Sequence, residues 1–233
     1  MIITVEDAID ALRSDLFDKP DVDDDGAARD TLWTDPELLR YINSACARWA
    51  SDTLALRRRF EFAVNADQAL VRFPYSEILD DLNVSFVVAS LGRRRTLHKF
   101  DIDEGLVRED YGTLIEETPD LDRSGMPTHY TRDYDNQFLR LWPVPNIAGT
   151  VAATAIVLPQ QLYPGMPLPC ASLQDFDLIS MWVKKMAYAK QDADTLDLTR
   201  SMAFEAEYKR YVLGRRSEID RTRRDAGVMR ANR

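Results

Sequence analysis

Six residues near the start of the chain resemble the opening of a calcium-binding loop. They are Asp21-Val22-Asp23-Asp24-Asp25-Gly26, in which alternate carboxylates would supply hard oxygen ligands and the glycine would permit a sharp turn. The pattern then fails, because Leu32 stands at the position that needs a bidentate Glu, and Ala28 stands inside the loop. A solvated acidic loop is the favoured interpretation, with calcium binding as the alternative.

Two groups of acids could act as a general acid and a general base. They are Asp101, Asp103 and Glu104, and the adjacent pair Glu116 and Glu117. Such catalysis needs two carboxyl groups placed across a substrate with separated pKa values, and nothing in this spacing requires that arrangement. The chain also lacks HExxH, GxSxG, GxGxxG and P-loop motifs. Exposed loop acids are therefore the favoured interpretation, with catalysis as the alternative.

Metal chemistry has few candidate ligands in this chain. There are two histidines, His98 and His129, and two cysteines, Cys46 and Cys170. Disulfide frameworks and four-thiolate zinc sites need more cysteines, so we expect no metal and no cofactor, and a fold that survives chelation. Each histidine is interpreted as a structural or surface residue. The low cysteine content favours synthesis in a reducing cytoplasm.

Arginine is concentrated in three short stretches that could contact a partner. Arg57-Arg58-Arg59 and Arg93-Arg94-Arg95 are compact clusters, and the second is predicted at a hairpin tip, within reach of phosphates or acids. The alternative is a charged strand edge that resists aggregation. Residues 215–233 hold seven arginines, three acids and few bulky apolar side chains. This tail is expected to be mobile until it binds a partner.

The overall charge limits how the chain can meet nucleic acid. Its 233 residues carry 39 acids against 30 bases, a net charge of −9, and residues 1–37 alone hold 12 acids and three bases. Non-specific affinity for DNA depends on Lys and Arg that displace counterions. Any grip on DNA must therefore come from local arginine clusters.

Neither a membrane span nor a secretory signal is expected. A membrane helix needs roughly 20 apolar residues. The longest uncharged stretch, residues 141–174, is interrupted by six prolines. The start of the chain has no basic region followed by an apolar run.

Four helices are predicted from caps and apolar spacing. Thr4 and Thr34 each precede acids of a first turn, Ser172 begins a capping-box sequence, and apolar residues recur at helical spacing after each. Trp33 is predicted to pack against the second helix as a staple. The last helix is predicted to stop at Gly214. The predicted helices span about 4–18, 36–53, 173–190 and 194–213.

Between the helices, apolar residues recur at every second position, which indicates strands. Residues 150–158 are almost continuously apolar, which predicts a strand buried on both faces. Turn residues separate the other strands and predict hairpins. The three predicted hairpins join residues 57–64 to 69–73, 83–91 to 96–100, and 126–133 to 137–142.

The order of helices, strands and helices predicts an α+β fold. The N-terminal and C-terminal helices are expected to form a bundle, with an antiparallel β region inserted between them and an extended C-terminal tail. The expected divisions are residues 1–56 and 170–214 for the bundle, 57–169 for the β insertion, and 215–233 for the basic tail.

Several short motifs rich in Pro, Gly and aromatic residues carry a family resemblance. With the order of elements, they make residues 30–213 similar to the head-to-tail adaptor, or connector, proteins of tailed bacteriophages, particularly the short-tailed type. The motifs are Trp33-Thr34-Asp35-Pro36-Glu37-Leu38-Leu39-Arg40-Tyr41-Ile42-Asn43, Phe73-Pro74, Gly125-Met126-Pro127-Thr128-His129-Tyr130, Leu141-Trp142-Pro143-Val144-Pro145, and final helices rich in Ala, Tyr and Met.

This resemblance implies a virion structural protein at the head-tail interface, made in the host cytoplasm, and not an enzyme. Such adaptors form a dodecameric ring under the portal protein and bind a tail or nozzle protein below. Packaged double-stranded DNA passes through the lumen without specific binding, and no membrane is involved. The resemblance also implies that the C-terminal extension docks on the portal.

Two sets of residues are predicted to make these contacts. Arginine forks of the tail would pair with carboxylates in grooves between portal subunits, while two apolar side chains fill small pockets. Arg93, Arg94 and Arg95 are predicted to contact the tail partner or the lumen. Two alternatives stay open: a nucleic-acid-binding module that uses the arginine-rich tail, and a small cytosolic hydrolase that uses the paired carboxylates. The predicted portal-binding residues are Arg215, Arg216, Arg221, Arg223, Arg224, Val228, Met229, Arg230 and Arg233.

Overall fold

Four helices and a large sheet give the chain the mixed α+β composition that the order of its sequence patterns predicts. The described residues divide into a helical unit, Met1–Leu56 with Leu158–Arg233, and a β unit, Arg57–Val157. The acidic loop at 21–26 and the acids at 101–104 and 116–117 lie outside the described residues. The computed structural model describes residues 2–18, 31–74, 78–99, 107–108, 114–115, 123–132, 138–170, 172–191 and 195–231.

The helices begin close to the predicted caps. They are α1 Val5–Leu16, α2 Asp35–Thr53, α3 Leu173–Tyr188 and α4 Leu198–Ala231. Thr4 and Thr34 complete capping boxes with the acid three residues later, and the Ser172 side chain accepts a bond from the Asp175 backbone N–H. Each cap satisfies backbone N–H groups that have no partner inside the helix. The first three helices therefore start where short-range chemistry places them.

Helix α4 continues through Gly214, so the predicted stop at this glycine is wrong, and residues 215–231 are helical instead of extended. Val212 and Ile219 are seven residues apart and both buried, so the inward face of the helix continues past the glycine. Arg215 also pairs with Glu218 in the next turn. These contacts outweigh the roughly 1 kcal/mol that a glycine costs in a helix interior.

The core of the helical unit takes side chains from all four helices. Trp33 lies in a second buried cluster with Leu38, as expected for a staple, and its Nε1 donates to the Ala187 carbonyl at 3.2 Å. The cluster that joins the four helices includes Val5, Ala8, Leu12, Ile42, Ala45, Cys46, Trp49, Leu178, Ile179, Val183, Tyr208 and Val212.

The described residues of the β unit form one seven-stranded sheet and two short ladders. The strands are β1 Arg57–Val64, β2 Leu70–Arg72, β3 Ile78–Val88, β4 Arg93–Lys99, β5 Val107–Arg108, β6 Leu114–Ile115, β7 Ser124–Gly125, β8 His129–Arg132, β9 Phe138–Trp142, β10 Val144–Pro145 and β11 Gly149–Val157. The large sheet has the order β1-β11-β3-β4-β8-β9-β2, while β5 pairs with β6 and β7 with β10. β11 lies between β1 and β3 and is mostly buried, which confirms the strand predicted to be buried on both faces.

Two of the three predicted hairpins are confirmed, since β3 pairs antiparallel with β4 and β8 with β9. The first predicted hairpin is wrong. β1 pairs with β11 and β2 pairs with β9, at opposite ends of the strand order. The turn between them does form, because the Gln68 N–H donates to the Asn65 carbonyl. Alternating apolar and polar residues predict a strand but do not identify the strand that pairs with it. The turn between β1 and β2 therefore suggested a pairing that does not form.

The sheet curls, because its two edge strands are joined by a short connection. In a flat sheet, β1 and β2 would lie six strand spacings apart, about 29 Å. The chain between Val64 and Leu70 reaches only about 21 Å when fully extended. Phe73, which follows β2, packs on Phe60 and Phe62 of β1 with ring centroids 5.5 and 5.3 Å away. The curl encloses the apolar face of the sheet.

Candidate interaction surface on the C-terminal helix

Helix α4 carries nearly all the residues that the sequence predicts to bind the portal. The eight from Arg215 to Arg230 fall within Leu198–Ala231, whereas Arg233 lies outside the described residues. Arg216 and Arg221 are exposed, and Arg215 is half-buried. The helix therefore presents a basic segment, but its first arginine has a partner inside the chain.

That partner is Asp175, in the first turn of α3. Arg215 holds the carboxylate with two hydrogen bonds of 3.0 Å, from Nε to Oδ1 and from Nη2 to Oδ2. Its Nη1 donates to Glu218 at 2.9 Å. The pKa of Arg215 is raised, chiefly by the hydrogen bond to Asp175. Arg215 thus stays charged and anchors α4 to α3.

Asp175 is buried and fully engaged. Only 1% of the residue is exposed. Trp49 Nε1 of α2 donates to Oδ1 at 3.1 Å, and the Ser172 hydroxyl donates to Oδ2 at 2.6 Å. Buried charges are tolerated when they are paired and hydrogen-bonded, and this carboxylate meets both conditions. One side chain therefore links α2, α3 and α4.

A second polar contact fixes α4 further toward its start. The Tyr208 hydroxyl donates to Asp52 at 3.1 Å, and Arg48 of α2 holds the same carboxylate at 2.7 Å. Burial, followed by the Asp52 charge, raises the pKa of Tyr208. The Trp182 ring of α3 packs 4.9 Å from the Tyr208 ring. Helix α4 is thus held at two levels along its buried length.

Ile219 is the last buried residue of α4 among those whose side chains the structure describes. Arg221 and Thr222 are exposed, and the backbone remains helical to Ala231. Twelve further residues of helix extend about 18 Å. An isolated segment of this length is marginal as a helix in water, so a partner would stabilise it. The structure therefore continues α4 as a basic helical segment for twelve residues past Ile219.

The second arginine cluster lies in the β unit. Arg93, Arg94 and Arg95 are the first residues of β4, directly after the turn that ends at Gly92, so they lie beside the tip of the hairpin. All three are exposed, and Arg94 Nε donates to the Ser85 hydroxyl at 3.2 Å. Because successive side chains of a strand point to opposite faces of the sheet, Arg94 lies on one face and its two neighbours lie on the other. The cluster thus presents cations on both sides of the sheet.

The candidate metal ligands and nucleophiles do not form a reactive site in the described part of the chain. His98 and His129 face each other across β4 and β8 with ring centroids 5.8 Å apart, but no group of three or more His, Cys, Asp or Glu gathers among the described residues. Burial raises the pKa of the Cys46 thiol to about 12 and that of Cys170 to about 11. Both thiols are protonated at neutral pH, a state of low nucleophilicity.

A comparison with protein families decides the class of this protein. The family model described as SU10 adaptor protein matches residues 3–232. The chain belongs to the SU10 adaptor family. The match covers both units and the length of α4, and it supports a role as a phage adaptor and virion component. No curated protein matches the chain significantly.

Membership in the SU10 adaptor family favours a structural protein over an enzyme. The predicted phage adaptor class is thereby supported, while the short-tailed type stays a prediction. Among the described helices, none combines the length and the apolar character that crossing a membrane requires.

The sequence interpretation missed the Asp175–Arg215 pair, although a signal for it was present. Ser201 and Tyr208 are buried at a spacing of seven, and the same step reaches Arg215. Continuing that register through Gly214 would have placed Arg215 on the inward face of the helix. Treating the glycine as a stop removed this information.

Proposed function

We propose that this protein forms a ring under the portal of a tailed phage, links the capsid to the tail, and lets double-stranded DNA pass through. The observation that carries the proposal is the family match over residues 3–232.

The basic end of α4 is the proposed portal anchor. Arg216 and Arg221 are exposed on it, and the helix continues for twelve residues past the buried Ile219. Guanidinium groups suit carboxylates because they pair through two parallel hydrogen bonds. Arg215 has a supporting role, since its pairing with Asp175 orients the helix instead of contacting a partner.

Arg93, Arg94 and Arg95 are the proposed contact to a tail or nozzle protein or to the lumen. They are exposed at one end of a hairpin, on both faces of the sheet. DNA is proposed to slide past the ring without specific binding, because a chain of net charge −9 repels phosphate overall.

A truncation tests the anchor directly. Ending the chain after Thr222 removes residues 223–233 but retains Arg215 and Ile219, so every buried contact described for α4 remains. The truncated protein should stay folded and lose co-sedimentation with the cognate portal. Electron microscopy of the full-length protein with portal should show a ring below it.

Two double charge-reversal variants distinguish a specific contact of the tail from a general effect of charge on portal binding. Arg223→Glu with Arg224→Glu should weaken portal binding in a salt-dependent way. Arg58→Glu with Arg59→Glu makes the same charge change in β1 and should leave binding unchanged. If both double variants lose portal binding to the same extent, the C-terminal tail is not the anchor. Failure of the full-length protein to bind portal or form a ring would overturn the proposed function.

A further inference from the structure

Helix α1 presents carboxylates on the side away from the core. Glu6, Asp7 and Asp10 are exposed and fall within about 100° of one another on the helical wheel, and we call them the acidic face. The buried apolar residues of α1 are centred about 165° from this face. Within the described part of the chain, neither Glu6 nor Asp10 forms an ion pair. These two carboxylates are therefore placed to bind a cationic partner.

One side of α4 combines cations with apolar side chains. Met202 and Leu213 are 70% and 68% exposed, and Lys209 and Arg216 are also exposed. These four positions fall within about 60° of one another, and we call them the mixed face. Lys209 Nζ lies 2.6 Å from a Glu205 carboxylate oxygen, a contact that orients the ammonium group. The mixed face thus complements the acidic face of α1 in charge.

The two faces also match in position along the helices. Lys184 of α3 marks a common level for α1 and α4, because its Nζ lies 2.6 Å from Asp15 and 5.7 Å from the centroid of the Phe204 ring. Asp10 lies five residues before Asp15, and Lys209 lies five residues after Phe204. Each step is about 7.5 Å along a helix.

Both steps run in the same direction, because α1 and α4 are antiparallel. Leu16 at the end of α1 packs with Tyr188 at the end of α3, whereas earlier residues of α1 share the main core with residues nearer the start of α3. Helix α4 runs the opposite way, since Phe204 stacks on Tyr188 and Arg215 pairs with Asp175. Asp10 and Lys209 therefore lie at the same level of the helical unit.

A single copy cannot bring its own two faces together. Asp15 and Phe204 lie on the sides of α1 and α4 that are turned toward Lys184. On the helical wheel, the acidic face is centred about 130° from Asp15, and the mixed face about 150° from Phe204. The complementary face must therefore come from another molecule. A second copy of this chain carries that face at the matching level.

Phe17 supplies an independent reason to expect a contact beside the acidic face. It ends α1 with φ of 56°, although this conformation costs a bulky residue roughly 1–2 kcal/mol and glycine is the usual residue there. The residue is also 90% exposed, so its ring adds little to the fold of one copy. Phe17 and Met202 each lie two residues, about 3 Å, beyond the Lys184 level. A thioether is a favourable partner for an aromatic ring.

We propose that the acidic face of one copy packs against the mixed face of the next, with the helices along the ring axis and the two packed helices antiparallel. Rotation about that axis keeps residues of the same level at the same height. Asp10 then pairs with Lys209 of the next copy, and Phe17 packs on Met202. The contact joins two different patches, as a head-to-tail ring requires. This inference rests on the proposed function and identifies the contact between copies in its ring.

An exchange of charges tests the ion pair between copies. Lys209→Glu opposes two carboxylates and Asp10→Lys opposes two ammonium groups, so each should weaken self-association about tenfold or more in sedimentation velocity across a concentration series. The double variant should recover most of this loss, because each contact again joins opposite charges. Arg210→Glu is the matched control, since this exposed neighbour lies outside the mixed face and should leave association unchanged. A double variant that associates no better than the single variants would overturn the inference.

Replacing Phe17 separates association from folding. Phe17→Gly removes the ring and suits the backbone conformation, so it should raise the melting temperature while it weakens self-association about tenfold. A lower melting temperature would show that the ring supports the fold of a single copy and would overturn the inference. Wild-type protein that stays monomeric at every concentration, alone and with portal, would do the same.

Portal binding distinguishes this inference from the proposed function. If the single variants weaken self-association, the double variant restores it and no variant or wild-type protein binds portal, the contact between copies stands and the adaptor proposal fails. If wild-type protein and every variant form rings with portal equally well, the proposed function stands and this contact is wrong.

Discussion

Replacing Arg215 with alanine tests whether the pair with Asp175 fixes α4 in place. The change removes two hydrogen bonds of 3.0 Å and leaves a carboxylate on a residue that is 1% exposed. Breaking a buried ion pair costs about 3–5 kcal/mol. Trp49 and Ser172 still donate to the carboxylate, which reduces this cost. We therefore expect the free energy of unfolding to fall by about 2–4 kcal/mol.

Urea denaturation followed by tryptophan fluorescence measures this loss. Trp33, Trp49 and Trp182 lie in the helical unit, and Trp49 contacts Asp175 directly. Arg216→Ala is the matched control, because this neighbour is exposed, and it should change the free energy of unfolding by less than about 0.5 kcal/mol.

A double-mutant cycle with Asp175→Asn isolates the interaction. The sum of the losses in the two single variants should exceed the loss in the double variant by about 1–2 kcal/mol, because each single variant leaves the other group buried without its partner. If Arg215→Ala and Arg216→Ala unfold at the same urea concentration, the pair does not anchor α4 and the reasoning fails.

Three further changes should alter stability in defined directions. Gly149→Ala should lower the free energy of unfolding by about 1–3 kcal/mol in urea titrations, because the new Cβ would lie 2.6 Å from a Phe86 ring carbon, whereas Gly214→Ala should raise it by about 1 kcal/mol. Phe17 ends α1 with φ of 56°, so Phe17→Gly should raise the melting temperature, and Ser14→Gly, within α1, should lower it. The Cys46 pKa is raised to about 12, so the stability that this thiol contributes should be present below about pH 9 and fall by about 1 kcal/mol between pH 9 and 10, and Cys170, with a pKa of about 11, should add a similar loss. Cys46→Ala should therefore reduce the pH dependence of stability measured by urea titrations, and an unchanged dependence would contradict this.

The helix starts could be predicted because their causes are local. Thr4, Thr34 and Ser172 each bond to a residue three positions later, so the relevant chemistry lies within one short window of sequence. Two hairpins could be predicted in the same way, since only a few residues of sequence separate β3 from β4 and β8 from β9. Short-range signals determined these elements.

The rest of the fold depends on contacts between residues far apart in sequence. Arg57 pairs with Ile156, and no pattern within either strand identifies the other. Asp175 and Arg215 meet only after α3 and α4 have packed, so an arginine of the inward face was interpreted as part of a mobile tail. Composition indicates that a segment is basic, but packing decides which of its cations face inward.

The pairing of β1 with β11 has a consequence for the order of folding. The β unit spans Arg57–Val157, and its first and last strands are neighbours, so its completion brings Leu56 and Leu158 together. Before that event, α2 and α3 can meet only by closing a loop of about 120 residues, and afterwards the effective loop is about 20 residues long. The entropy saved is about 1.5 kcal/mol. We therefore expect the inserted sheet to form before the N-terminal and C-terminal parts of the helical unit pack together.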